Sequence, residues 1–286
     1  MNLLKAIWRV LWKIAVFLIL WGVLYTPLLI PAVNKFQQTG GLNSPLARLY
    51  FEVTGAATIL ISAWIMTRLF DKRSFASLGF MPGNIMRDVL LGLGIGLGMM
   101  AVSVGILWVA GWAVPQSVVS FSLIALVLIG VAMLANTIVQ EVLVRGYIQQ
   151  TIQSQFGSHL AVILSALIFM LLHIGAIKGG LLPSINLFAA GILLGLAYVV
   201  TKNLWLPIAL HFGWNFLQGP VFGLTVSGQS VDSGWRIFKL AGPALFTGGN
   251  FGLEGGLVAT LTTVLGIVTL LLLSSPKAKV FSPGQI

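Results

Sequence analysis

The sequence predicts an all-α, polytopic integral membrane protein of about eight transmembrane helices, with both termini cytoplasmic. Three observations carry this expectation. Of the 286 residues, 58% are hydrophobic and only 8% are charged, against about 25% charged in soluble domains; so few charges cannot cover a folded surface in water. Apolar runs of the ~20 residues needed to span a bilayer recur along the chain. The basic residues fall unevenly on the two sides those runs define. A soluble globular enzyme, a disordered chain and a coiled coil are excluded. The absence of cysteine excludes disulfides, thiolate zinc sites and a cysteine nucleophile. The net charge of +10 suits basic cytoplasmic loops, and no basic patch interleaved with aromatics points to nucleic acid. The partner that the composition implies is the lipid bilayer.

In chain order the expected spans are 7–31, 46–70, 88–113, 121–150, 160–177, 184–201, 203–218 and 256–274. The first follows Lys5, Arg9 and Lys13, as a secretory signal would. Thr26-Pro27 and Pro31, rather than a small-x-small cleavage site, follow its apolar run, so it reads as an uncleaved span. The third contains Gly92, Gly94, Gly96 and Gly98. No strand precedes them and no acidic residue follows at the distance a dinucleotide fingerprint needs. The four-residue spacings Gly92/Gly96 and Gly94/Gly98 suit close helix packing instead. The fourth span is the longest, and its polar end from Arg145 to Gln155 is expected to project beyond the hydrocarbon. With the N-terminus inside, 11 basic residues, from Lys5, Arg9 and Lys13 to Lys277 and Lys279, are cytoplasmic. Five are outside: Lys35, Arg48, Lys178, Arg236 and Lys239. The connection 114–120 is uncharged, and 219–255 is the one long outer loop. No repeat or soluble domain interrupts the pattern, so 1–286 reads as a single transmembrane domain.

A charged residue inside a span costs about 3 kcal/mol on insertion scales and needs a partner or a task. Such residues are expected mainly in spans four, five and seven. Span four carries Gln140-Glu141 and, four residues on, Arg145. Glu141 and Arg145 share a helix face in the favourable acid-before-base order. Span five ends Phe169-Met170-Leu171-Leu172-His173, and span seven holds His211 and Asn215, again four apart. At 1.5 Å per residue, Glu141, His173 and His211 lie roughly 14, 20 and 12 Å from the cytoplasmic ends of their spans. In a core of ~30 Å all three can meet near the midplane. The chemistry this suggests is hydrolytic. A carboxylate can take a proton from water, and imidazoles can hold that water, bind a metal or protonate a leaving group. An amide can donate to an oxyanion, and Arg145 keeps Glu141 ionised. No serine stands in a nucleophile-elbow context. His159, in a polar stretch, reads as a solvated loop residue. A proton or ion relay through Glu141 and the histidines is the alternative from another class.

These segments resemble the CPBP family, which comprises the CAAX prenyl endopeptidases, the bacteriocin-processing proteases and the abortive-infection (Abi) proteins. Its signature is Glu-Glu-x-x-x-Arg, then Phe-x-x-x-His, then His-x-x-x-Asn or Asp. The matches are Gln140-Glu141-x-x-x-Arg145, Phe169-x-x-x-His173 and His211-x-x-x-Asn215. They mark about 121–218 as a protease-like core. The resemblance implies an intramembrane endopeptidase cleaving membrane-associated, lipidated or prenylated peptide substrates, in a plasma membrane and of bacterial type. It implies an active centre of Glu141, His173, His211, Asn215, Arg145 and Gln140. The asparagine would stabilise the oxyanion and the arginine would support the glutamate.

One departure matters. The first glutamate of the pair, the water-activating base in the family picture, is Gln140 here. Its amide keeps the shape but cannot take a proton at neutral pH. Glu141 then stands as the candidate base. His173, His211 and Glu141 form a candidate three-ligand set for a divalent metal such as zinc, but a Glu141 used as ligand leaves no carboxylate as base. Three accounts of Gln140 fit: an active natural variant working through Glu141, a protein that has lost proteolysis and kept a binding or immunity role, or an introduced inactivating replacement.

Overall fold

The structure is a computed structural model that describes residues 2–39, 41–42, 44–116, 122–230 and 237–274. Residues 117–120 of the uncharged connection, Arg236, Lys277 and Lys279 lie outside these. Helix α1 (Leu3–Gln38) starts where the Asn2 side chain accepts from the Leu4 amide, and it runs through Pro27 and Pro31. Helix α2 (Pro45–Ile65) is capped by Ser44 with Pro45 in its first turn, and a π-turn at Met66–Phe70 prolongs it. Helix α3 (Ile85–Val109) leads to strand β1 (Ala113–Pro115). Helix α4 (Leu123–Glu141), capped by Ser122, passes into a π-helical segment, Val142–Gln149, and then into α5 (Gln150–Leu172). Then come α6 (Ile174–Gly179), α7 (Leu181–Thr201) and α8 (Trp205–Phe216), the last prolonged by a π-turn at Leu217–Val221. Strand β2 (Phe238–Leu240) pairs antiparallel with β1. The short α9 (Ala244–Thr247) and α10 (Leu257–Ser274) complete the described chain.

Among the described residues five helical segments are long and apolar enough to cross a membrane: Leu3–Gln38, Pro45–Phe70, Ile85–Val109, Leu123–Leu172 and Leu181–Thr201. The fourth is two arms, as the sequence expects for spans four and five. Gly157, at φ 79°, breaks the helix, a left-handed conformation that glycine adopts without steric cost. In one straight helix Ser165 would lie ~24 Å from Gln149, yet its hydroxyl reaches the Gln149 Oε1 at 3.0 Å. The chain therefore turns back at Gly157, and exposed His159 sits just past the turn. The spans expected at 203–218 and 256–274 are the shorter helices α8 and α10. Large apolar side chains such as Trp8, Ile19, Val23, Trp64, Trp108 and Ile124 remain exposed, which suits a lipid-facing surface rather than water.

The glycine run of α3 divides into two faces. A Cβ on Gly92 would meet the Leu206 carbonyl oxygen at 2.5 Å, and one on Gly96 would strike the Leu210 carbonyl oxygen. These two glycines let α8 approach closely, as small residues do between membrane helices. Gly94 and Gly98 meet nothing within 4 Å, so the packing expected of both pairs belongs to one. Gly96→Ala is expected to destabilise by about 1–3 kcal/mol through overpacking. Gly94→Ala should be neutral or stabilising by up to about 1 kcal/mol. Thermal unfolding of the two variants in the same detergent checks this; equal losses would contradict the assignment of faces.

The long loop packs onto the bundle. Asn186 of α7 donates to the carbonyls of Glu254 (2.8 Å) and Gly256 (3.0 Å), and Thr260 donates back to Asn186. Buried Glu254 accepts from the Trp214 indole at 3.1 Å and from the Ser227 amide. Burial pushes its carboxyl above the usual carboxylate range. These bonds tie Ser227 and the 254–256 turn to α7 and α8.

Candidate active site

The centre is built around a carboxylate with no access to solvent. Glu141 and Arg145 have 0% exposure. Arg145 Nη1 donates to Glu141 Oε1 at 3.0 Å, and the Nδ1 of His211, on α8, reaches the same oxygen at 2.8 Å. Arg145 also donates through Nη2 to the Gly191 carbonyl (3.1 Å) and lies over the Phe169 ring, 4.4 Å from its centroid. Glycine at 191 lets α7 pack closely on α5: a Cβ there would lie 2.8 Å from the Ala166 Cα. The segment is π-wound, a form that recurs at functional sites, and every residue in it is buried.

The two histidines are held in the same manner by different partners. His173 ends α5, and its Nδ1 donates to the Phe169 carbonyl at 2.7 Å. The Nδ1 of His211 donates to Glu141. A neutral imidazole whose Nδ1 carries the proton presents Nε2 as an acceptor. The Phe169 ring lies between them, its centroid 4.5 Å from that of His173 and 5.8 Å from that of His211.

A cavity of about 350 Å³ opens beside this centre, lined by Glu52, Asn136, Gln140, His173, Asn215 and Ser227 among others. One residue from each of the three motifs thus meets a common space. Arg145 and Glu141 stand behind that space rather than in it, and His211 lines a second, smaller cavity of about 50 Å³ with Phe169, Trp214 and Glu254. Leu42, Arg48 and Gln229 also line the main cavity, so it faces the end of the bundle that carries the long loop. The loop and the start of α2, which supply this part of the lining, are distant in sequence from the motifs.

The expected metal set is not assembled. Among the described residues no group of three His, Cys, Asp or Glu side chains is placed to hold an ion. The three side chains do not face one space: His173 lines the main cavity, His211 the smaller one and Glu141 neither, its Oε1 being engaged by Arg145 and His211. A zinc ligand would instead have to approach the ion to about 2.0–2.2 Å. His173, His211 and Glu141 therefore do not fit a resident metal.

Sequence reasoning missed Glu52. Its Oε2 accepts from the Asn136 amide at 2.9 Å, and Asn136 Oδ1 accepts from Gln140 Nε2 at 2.6 Å. The signal was present, because Glu52 is one of six acidic residues in the whole chain and falls inside an expected span, where a carboxylate is a functional candidate by default. Its partner Asn136 lies one helical turn before Gln140 and was legible only as an ordinary polar residue.

Fold and site together define a class: a helical membrane protein whose packed helices bury a glutamate–arginine–histidine cluster beside a polar cavity. Residues 120–217 match the model of a family described as type II CAAX prenyl endopeptidase Rce1-like. That segment is similar to this family, and it carries the three motifs of the resemblance. No curated protein matches the chain.

Proposed function

We propose that the protein is an intramembrane endopeptidase that hydrolyses a peptide bond of a membrane-associated or lipidated substrate, in a plasma membrane, with eight spans and both termini cytoplasmic. The observation that carries this reading is the meeting of Gln140, His173 and Asn215 in one polar cavity, backed by the Glu141–Arg145–His211 cluster. Water in the cavity is the nucleophile. His173 presents Nε2 to it as a hydrogen-bond acceptor that holds and orients it. Asn215, which makes no hydrogen bond among the described residues, donates its amide to the oxyanion that forms on the attacked carbonyl. Gln140 Oε1 is buried without a partner and can accept from water or from the scissile N–H. Glu141, whose Oε1 is committed to Arg145 and His211, fixes the imidazole of His211 rather than meeting water. With the termini cytoplasmic, the substrate reaches the cavity from the outer half of the bilayer.

The test is cleavage in lipid vesicles, with prenylated C-terminal peptides and a library of membrane peptides as substrates. Fragments are expected, and Asn215→Ala is expected to lower kcat by about 10²–10³-fold with little change in KM. The replacement of the family's first glutamate by Gln140 favours a second reading, a binding or immunity protein with a degenerate protease site. Absence of cleavage by both the unmodified chain and Gln140→Glu would favour that reading and sink the first.

A further inference from the structure

Peptide hydrolysis needs a group to take the proton of the attacking water, and an uncharged Gln140 cannot do so. Glu52 is the only carboxylate lining the cavity among the described residues. It stands on α2, outside the matched segment 120–217. Its Oε2 is fixed by Asn136, which in turn holds Gln140, so Glu52, Asn136 and Gln140 form one hydrogen-bonded row along the cavity wall. No hydrogen bond engages Oε1 of Glu52 among the described residues.

We propose that Glu52 is a catalytic residue, the general base that supplies the carboxylate missing at position 140. This assignment rests on the protease reading given above. In the step, one O–H bond of water breaks as its proton passes to Glu52, and the water oxygen bonds to the scissile carbonyl carbon. The C–N bond then breaks as Glu52 hands that proton to the leaving nitrogen. The products are a carboxyl group and an amine, with no other reactant consumed. His173 is the other proton acceptor in the cavity. A proton on its ring would create a second cation against Phe169, whose face Arg145 already covers. A proton on Glu52 removes a charge instead, which is the cheaper change away from bulk water. The row also explains the orientation of Gln140. Its amide nitrogen is spent on Asn136, leaving Oε1 to hold the water beside the base.

The experiment compares kcat/KM of the unmodified chain, Glu52→Gln, Gln140→Glu and the double variant on a peptide selected from the library. Glu52→Gln keeps an oxygen to accept from Asn136, so folding should persist, checked by thermal unfolding. Activity is expected to fall by about 10²–10⁴-fold, and the acid limb of the pH profile should disappear with it. Adding Gln140→Glu to Glu52→Gln is expected to restore activity by about tenfold or more, because a carboxylate then stands at the other end of the row. A merely structural Glu52 would give no such rescue. Full activity in Glu52→Gln, or a double variant no better than Glu52→Gln, would overturn the assignment while leaving the protease reading intact. So would a silent unmodified chain beside an active Gln140→Glu. Silence from both of these would overturn the protease reading and the assignment together.

Discussion

Arg145→Ala is expected to destabilise the folded protein by about 3–5 kcal/mol, the largest loss for any single change at the site. The substitution leaves Glu141 fully buried with His211 as its one remaining hydrogen-bond partner. It also removes the bond to the Gly191 carbonyl and the cation over Phe169. A buried carboxylate without its counter-charge bears the desolvation cost that the pair had offset. Glu141→Ala should cost a similar amount by stranding the guanidinium. The double variant should be less destabilised than the sum of the two, because it strands neither charge. Thermal unfolding in one detergent measures all three. Simple additivity would mean that the pair is not coupled, and the centre would need another account.

His173→Ala is expected to leave stability nearly unchanged and to lower kcat/KM by about 10²–10⁴-fold. His173 sits at the end of α5, is only partly buried, and bonds to a carbonyl of its own helix. Removing it breaks no link between helices. His211→Ala removes activity and also the bond from α8 to Glu141, so it should lower the unfolding temperature as well. Kinetics and unfolding measured on both variants separate a residue that serves the reaction from one that also holds the bundle. If His173→Ala cleaved at the unmodified rate, the cavity would not be the reaction site.

The motif residues were legible because each is a costly polar group in an apolar run, at a spacing of four that places it on a shared helix face. That argument found Glu141, Arg145, His173, His211 and Asn215, and it located Gln140 as the departure. It could not apportion them. Spacing along a helix does not say which side chain faces a cavity and which faces a neighbouring helix. The two histidines looked alike in sequence, yet one lines the main cavity and the other anchors Glu141. The metal set failed for the same reason: His173 and His211 line different cavities, and Glu141 spends Oε1 on Arg145 and His211. In α3, two glycine pairs of equal spacing differ because only Gly92 and Gly96 face α8. Gly191, whose carbonyl accepts from Arg145, carries no motif of its own.

Composition and periodicity by themselves determined that this chain is a bundle of apolar helices and that its few polar residues within them are concentrated on particular segments. Both follow from the local free energy of placing each residue type in hydrocarbon, which depends on sequence alone. The tertiary structure decided what those residues face. It brought Glu52 of α2 into a row with Asn136 and Gln140, 84 and 88 positions away in the chain. It also folded residues 226–229 and Glu254 of the long loop against the motif helices. Such contacts depend on close packing between segments remote in sequence, and side-chain direction across a helix interface has no signature in the spacing of either partner.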